Sequence, residues 1–334
     1  MVTRETLPGE GVSRRRLIQT TAGLAAPLLS SPAIAADYPS RSVRIVVPYA
    51  PGGAVDTLAR RMAQQLTSRL GQTFVVDNRS GASGVIGTAE VARSAPDGHT
   101  LLALENTYTA LPHVFNNLPF DHANGFSPIT VTAISPVLMI TGARSPYRSL
   151  AQLLDAARRQ PDRITFGSGG VGSSLHLSAE LLQQAAQVKM LHVTYRGGGD
   201  AVRAALTGEV DFVMTSPGSS LSGIRGELLR GLAICGAQRA ASLPDVPTFT
   251  EAGMPGIEIN NWSGLAAPRG TPQDIIDTLY QAMTTALRNP EMSAYLDSLA
   301  SLPGGMPPAE FAALIQQESA TWGKVVRRAG IERQ

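Results

Sequence analysis

Three times in this chain a short apolar run closes on a cluster of glycines and then opens into a helix-patterned stretch. The clusters are Tyr49-Ala50-Pro51-Gly52-Gly53, Gly167-Ser168-Gly169-Gly170-Val171-Gly172-Ser173-Ser174 and Tyr195-Arg196-Gly197-Gly198-Gly199. A strand that turns through glycine into a helix is the unit of an α/β sheet, whose ligands sit beyond the carboxyl ends of the strands. Glycine there admits main-chain N–H groups to a ligand, and the helix start that follows favours an anion.

The pattern around these turns predicts strands at Val43–Tyr49, Thr73–Asp77 and Thr100–Leu104, with helices at Gly53–Leu70 and Gly84–Ala92 between them. In the first helix Leu58, Met62, Leu66 and Leu70 recur at helical spacing, and Gly71 supplies the stop. Apolar strands at Ile129–Ala133 and Val137–Thr141, split by Pro136, read as a crossing. A second set follows, with helices at Leu150–Arg159, Ser174–Ala186 and Asp200–Leu206 and strands at Ile164–Phe166, Leu191–Thr194, Phe212–Thr215 and Leu232–Ile234. The last part holds helices near Pro272–Leu287 and Pro308–Val326. With 334 residues, the chain suits two doubly wound α/β lobes with mostly parallel sheets. The division expected is residues 36–138 for the first lobe, 139–257 for the second, and 258–334 for a return to the first.

Residues 1–35 read as an export leader. Ser13-Arg14-Arg15-Arg16 precedes the uncharged run Leu17–Leu29, and Ala33-Ile34-Ala35 offers a cleavage site. The paired arginines suggest twin-arginine export, with an ordinary secretory leader as the alternative. The formal charge of +2 belongs to this leader, whose four arginines exceed its two acids by that margin. The rest is balanced and has no basic run, so no nucleic-acid partner is expected. No other segment is long and apolar enough to span a membrane, and the mature chain is expected in the periplasm. The single Cys235 allows no internal disulfide and reads as a packed thiol.

Catalytic and metal readings are weak. Ser173, Ser174 and His176 lack the nucleophile-elbow spacing, and the five histidines form no metal-ligand pattern. His176 and Glu180 are four apart, a spacing that more often gives a helix contact than a metal site. No metal, cofactor or catalytic group is expected. The second glycine cluster lacks the Gly-Lys-Ser/Thr of a phosphate loop. Asp56 falls in a first helical turn, where capping outweighs ligand contact. Arg196 reads as a surface residue; Gly197 and Gly198 are the better candidates for main-chain contact. Phe126, Trp262 and Tyr108 read as core.

Tyr38-Pro39-Ser40-Arg41, Val46-Val47-Pro48-Tyr49-Ala50-Pro51-Gly52-Gly53-Ala54-Val55-Asp56 and Ala95-Pro96-Asp97-Gly98-His99 resemble the Bug family. His192-Val193-Thr194-Tyr195-Arg196-Gly197-Gly198 and Leu243-Pro244-Asp245-Val246-Pro247 extend the likeness along the chain. Bug proteins are the substrate-binding components of tripartite tricarboxylate transporters. The resemblance implies a type II periplasmic-binding-protein fold, a hinge, a central cleft and a small carboxylate ligand. It also implies membrane transporter partners and a monomeric, non-catalytic receptor. Presentation to a membrane sensor, or a secreted serine hydrolase using Ser173 or Ser174, are the alternatives. The resemblance points to Ala50, Pro51, Gly52, Gly53 and Asp56 on one side and to Gly172, Ser173, Ser174 and His176 on the other. Tyr49, Asn106, Tyr195 and Gly197 complete the expected ligand contacts. The grip is expected to be chiefly main-chain amides, led by Gly52-Gly53 and Gly172-Ser173. Glu105 departs from the small polar residues usual in the family at its position, and an acid there disfavours a polyanion.

Overall fold

A computed structural model of the chain describes residues 1–3 and 38–334. The arginines, apolar run and cleavage site of the leader lie outside the described residues. Two sheets form within one contact unit, Asp37–Gln334.

The first sheet begins with β1 (Val43–Val47), α1 (Ala54–Leu70), β2 (Phe74–Asn78), α2 (Val85–Ala92) and β3 (Thr100–Glu105). β1 lies between β2 and β3, parallel to both. Its Val43, Ile45, Val46 and Val47 are all fully buried, as a central parallel strand covered on both faces requires. α1 lays Val55, Leu58, Met62 and Leu66 against the sheet and ends at Gly71, whose φ of 73° places it in the left-handed region.

After α3 (Thr107–Val114), β4 (Phe126–Pro136) leads straight into β5 (Leu138–Gly142). The second sheet then follows through α4 (Leu150–Arg159), β6 (Thr165–Ser168), α5 (Ser174–Ala186), β7 (Leu191–Thr194), α6 (Gly198–Thr207), β8 (Phe212–Thr215), α7 (Pro217–Arg225) and β9 (Leu229–Ile234). The chain returns as β10 (Asn260–Pro268), α8 (Gln273–Leu287), α9 (Pro290–Ser298), β11 (Leu302–Pro303) and α10 (Pro308–Ala329). The strand orders are β11-β4-β10-β3-β1-β2 and β7-β6-β8-β5-β9.

Both sheets are mixed rather than mostly parallel. β10 runs antiparallel to β3 and β4, and β5 antiparallel to β8 and β9. β5 and β10 each follow a crossing between lobes, so they enter their sheets from the opposite direction. The two crossings lie side by side. Val137 donates its amide to Ile259 O at 3.1 Å, and Cys235 donates to Val137 O at 2.8 Å. Cys235 is buried just beyond β9, and burial pushes its thiol up to about 11, which suits an inert packing role.

α10 joins the lobes a third time. Its Phe311 is buried in the first-lobe core, whereas Trp322, Val325 and Val326 are buried in the second-lobe core. Each such side chain contributes roughly 1.5–3 kcal/mol on burial, so both ends are firmly held. α3 is shared in the same way, with Tyr108 and Leu111 in one core and Ala110 and Val114 in the other.

Candidate functional site

Tyr49, Ala50, Pro51, Gly52 and Gly53 turn β1 into α1, and Ala50 to Gly53 are exposed. Gly52 has φ +83° with open space around it, so backbone conformation rather than crowding demands glycine there. Its amide is not free. It donates to Asp56 Oδ2 at 2.9 Å, an oxygen that also receives Arg60 Nε at 3.0 Å. Asn78 Nδ2 donates to Asp56 Oδ1 at 2.9 Å and to Tyr49 O at 3.0 Å. Burial opposes ionisation of Asp56, but the hydrogen bonds from Arg60, Gly52 and Asn78 outweigh it and hold the carboxyl below its usual range. Asp56 thus fastens the loop to β2 from within the first lobe. The donors left at the start of α1 are the amides of Gly53, Ala54 and Val55, which meet no acceptor among the described residues.

The facing loop follows β6. Ser173 caps α5, its Oγ accepting from His176 N at 3.3 Å. The Gly172 amide donates to His176 Nδ1 at 3.0 Å, so it too is engaged internally. Gly172 has φ +76°, and a Cβ on it would lie 2.6 Å from Val114 of α3. A Cβ on Gly170 would lie 3.6 Å from Ser83 Oγ. The second-lobe loop therefore meets α3 and the Ser83 turn of the first lobe. Across this boundary Ser174 N donates to Thr107 Oγ1 at 3.3 Å, and Thr107 Oγ1 lies 2.8 Å from Glu105 Oε1. A hydroxyl carries one proton, so Thr107 gives it to Glu105 and accepts from Ser174.

Glu105 ends β3. Burial pushes its carboxyl above the usual range, opposed by hydrogen bonding from Thr107 and Tyr49. Burial and the neighbouring Glu105 likewise raise the Tyr49 phenol well above its ordinary value. Ser174 and Thr107 are buried, and Glu105 and Tyr49 are partly so.

The structure brings Tyr49, Glu105, Thr107 and Gly170–Ser174 together. Asn106 is fully buried and donates Nδ2 to Asn260 O at 3.3 Å, which ties α3 to β10. The Tyr195 hydroxyl meets Glu209 at 3.4 Å, while its amide donates to Ser168 O. Gly197 starts α6 without a side-chain cap. A Cβ on Gly169 would lie 2.9 Å from Gly198 N, so the β6 and β7 loops are in contact. Arg196 is exposed. A cavity of about 70 Å³ lies away from these loops, among Tyr108, His122, Phe126 and Ile315. Tyr108, Phe126 and Trp262 belong to the first-lobe core.

Neither Ser173 nor Ser174 bonds to an imidazole; the Ser174 hydroxyl lies 3.5 Å from that of Thr107. Near these loops the serine that reaches an imidazole is Ser168, whose Oγ lies 2.7 Å from His192 Nε2. It is buried, and it gives its proton to Gly170 O at 3.1 Å. Its oxygen also accepts the Gly170 amide at 3.2 Å, so the hydroxyl is bound within its own loop. His192 stacks on His176 with centroids 3.8 Å apart, and Phe166 and Phe212 continue the stack. Burial, with a contribution from His176, drives the His192 imidazole down to about 3. His176 Nε2 lies 3.5 Å from Glu180 in a buried helix contact, and no metal-ligand cluster occurs among the described residues.

Sequence reasoning missed Thr107, Ser83, Ser168 and His192. Only Thr107 left a signal, as the residue following a strand end at the level of the glycine turns.

The family described as "Tripartite tricarboxylate transporter family receptor" (TctC) matches residues 58–331. Protein BugT of Bordetella pertussis is 33% identical over 314 residues, 93% of this chain and 94% of that one. A Rhodopseudomonas palustris protein solved with adipate superposes with a TM-score of 0.84 at 34% identity, covering 89% of this chain and 100% of that one. MatC of the same organism, solved with bound malate, gives 0.80 at 32% identity, covering 86% of this chain and 100% of its own. The two-lobed periplasmic-binding-protein fold follows from these likenesses.

Proposed function

The chain belongs to the tripartite tricarboxylate transporter receptor family, whose members are solute-binding proteins and not enzymes, and on that premise we propose that it captures a small carboxylate between its lobes for a transporter of the tripartite tricarboxylate type. The observation that carries this reading is the start of α1. There Gly53, Ala54 and Val55 present uncommitted amides on a loop that Asp56 holds in place. Such a helix start suits an anion, and the adipate and malate of the two similar structures are both carboxylates. The Gly172–Ser174 segment forms the opposing wall, and closure of one lobe on the other traps the ligand.

In this reading the leader directs the chain to the periplasm, where it acts as a monomer and hands its ligand to membrane subunits. No helix among the described residues is long and apolar enough to cross a membrane. Titration calorimetry with adipate, malate and succinate tests the reading. Saturable binding of one ligand per chain, without product, is expected. Ester hydrolysis that disappears in Ser174→Ala would overturn it.

A further inference from the structure

Glu105 lies where the two lobes meet, and among the described residues no cation is paired with it. Its partners among the described residues are hydroxyls, those of Thr107 and Tyr49. Thr107 donates to Oε1 at 2.8 Å, and the partly buried carboxyl meets no Lys, Arg or His side chain among the described residues. The opposing segment Gly170–Ser174 has no charged side chain. Thr107 links this carboxyl to the Ser174 amide, so Glu105 is held in position where the lobes close.

A ligand carboxylate bound near the start of α1 lies on the same side of the first lobe. A second carboxylate on that ligand, reaching towards β3, meets a like charge that nothing neutralises. Like charges sharing a partly desolvated site repel, and one must take up a proton. A hydroxyl or ammonium in the same place instead gives the carboxylate a charge-assisted hydrogen bond.

We propose that Glu105 makes this cleft select a monocarboxylate whose far end donates a hydrogen bond, and reject dicarboxylates of the same length. The inference rests on the carboxylate reading above and narrows its ligand class. It is tested by calorimetry of the purified chain at about pH 8 with four probes built on one four-carbon chain: succinate, butyrate, γ-hydroxybutyrate and γ-aminobutyrate. The wild type is expected to bind one of the two donor-ended probes roughly tenfold or more tighter than succinate. Glu105→Gln is expected to shift that ratio towards succinate by roughly tenfold. Glu105→Ser serves as a second variant, and melting temperatures establish that both are folded. Equal binding of succinate and the donor-ended probes by the wild type overturns the inference, as does a ratio unchanged in both variants. Either leaves the carboxylate reading standing, because ligands still bind. Failure of all four probes, adipate and malate to bind the wild type overturns both.

Discussion

The amide nitrogen of Ser174 lies 3.3 Å from Thr107 Oγ1, so the first residue of α5 is bonded to the first residue of α3 across the boundary between lobes. Because Thr107 also gives its proton to Glu105, one hydroxyl serves both sides of the closure.

Thr107→Val keeps the shape and removes that hydroxyl. It leaves a buried Ser174 amide without its acceptor, at a cost of about 1–3 kcal/mol. Ligand affinity is expected to fall roughly tenfold by calorimetry if most of this cost is felt in the closed state. The melting temperature, set mainly by the two separate cores, is expected to change little.

Asp56→Ala removes a buried carboxylate that receives Gly52, Arg60 and Asn78. Two of those donors are uncharged groups drawn into the first lobe, and the loss is expected to destabilise the fold by about 2–4 kcal/mol in urea titrations. Affinity is expected to drop as well, because the loop carrying the Gly53, Ala54 and Val55 amides loses its anchor. Undiminished ligand affinity in Asp56→Ala would show that the loop is positioned by something else.

Gly172→Ala meets two obstacles, the left-handed φ of +76° and the side chain of Val114 at 2.6 Å. A destabilisation of about 2 kcal/mol is expected. The double variant Gly172→Ala, Val114→Ala is expected to recover binding more than stability, since it removes the clash and adds a cavity. No recovery of binding would place the fault in the backbone strain alone.

Two groups titrate in opposite senses. His192 is held neutral, with its imidazole near 3 against an ordinary 6.5. The folded chain therefore binds fewer protons than the unfolded one between these values, and stability is lost as pH falls through them, by up to ~3 kcal/mol. Glu318 lies under the Trp262 indole, whose Nε1 donates to it at 2.8 Å. Burial raises its carboxyl to about 7, against hydrogen bonds from Trp262 and Thr109. Its contribution is present below the ordinary carboxylate value and lost as pH rises through about 7, on the order of 2 kcal/mol. Urea midpoints measured from about pH 4 to pH 8 are expected to peak between the two. His192→Phe should flatten the acid limb, and Glu318→Gln the other.

The parts of the fold readable in advance were those with uninterrupted periodicity. α4, α5, β7 and β8 have the boundaries that their patterns predict. α3 escaped notice because Pro112 interrupts it. That proline cannot donate to Tyr108 O, one turn back, and His122 Nε2 fills the gap at 2.8 Å. A helix rescued by a side chain from beyond its own end leaves no local trace. α7 follows its opening proline with Gly218, a poor helix former, and β10 opens on Asn260-Asn261, poor strand formers.

The same limit applied at the site. Glycines at 52 and 172 were read as amide donors, but their left-handed backbones aim those amides at Asp56 and His176. Sequence shows that an amide is accessible; it does not show which way the amide points.

α10 gives the molecule a mechanical character that two crossing strands alone would not. Strands side by side behave like a door hinge and leave the opening angle free. A helix with Phe311 rooted in one core and Trp322 in the other behaves like a leaf spring laid across that hinge. Any motion that separates the two cores must flex or slide this helix, so such a motion is bounded and meets a restoring force.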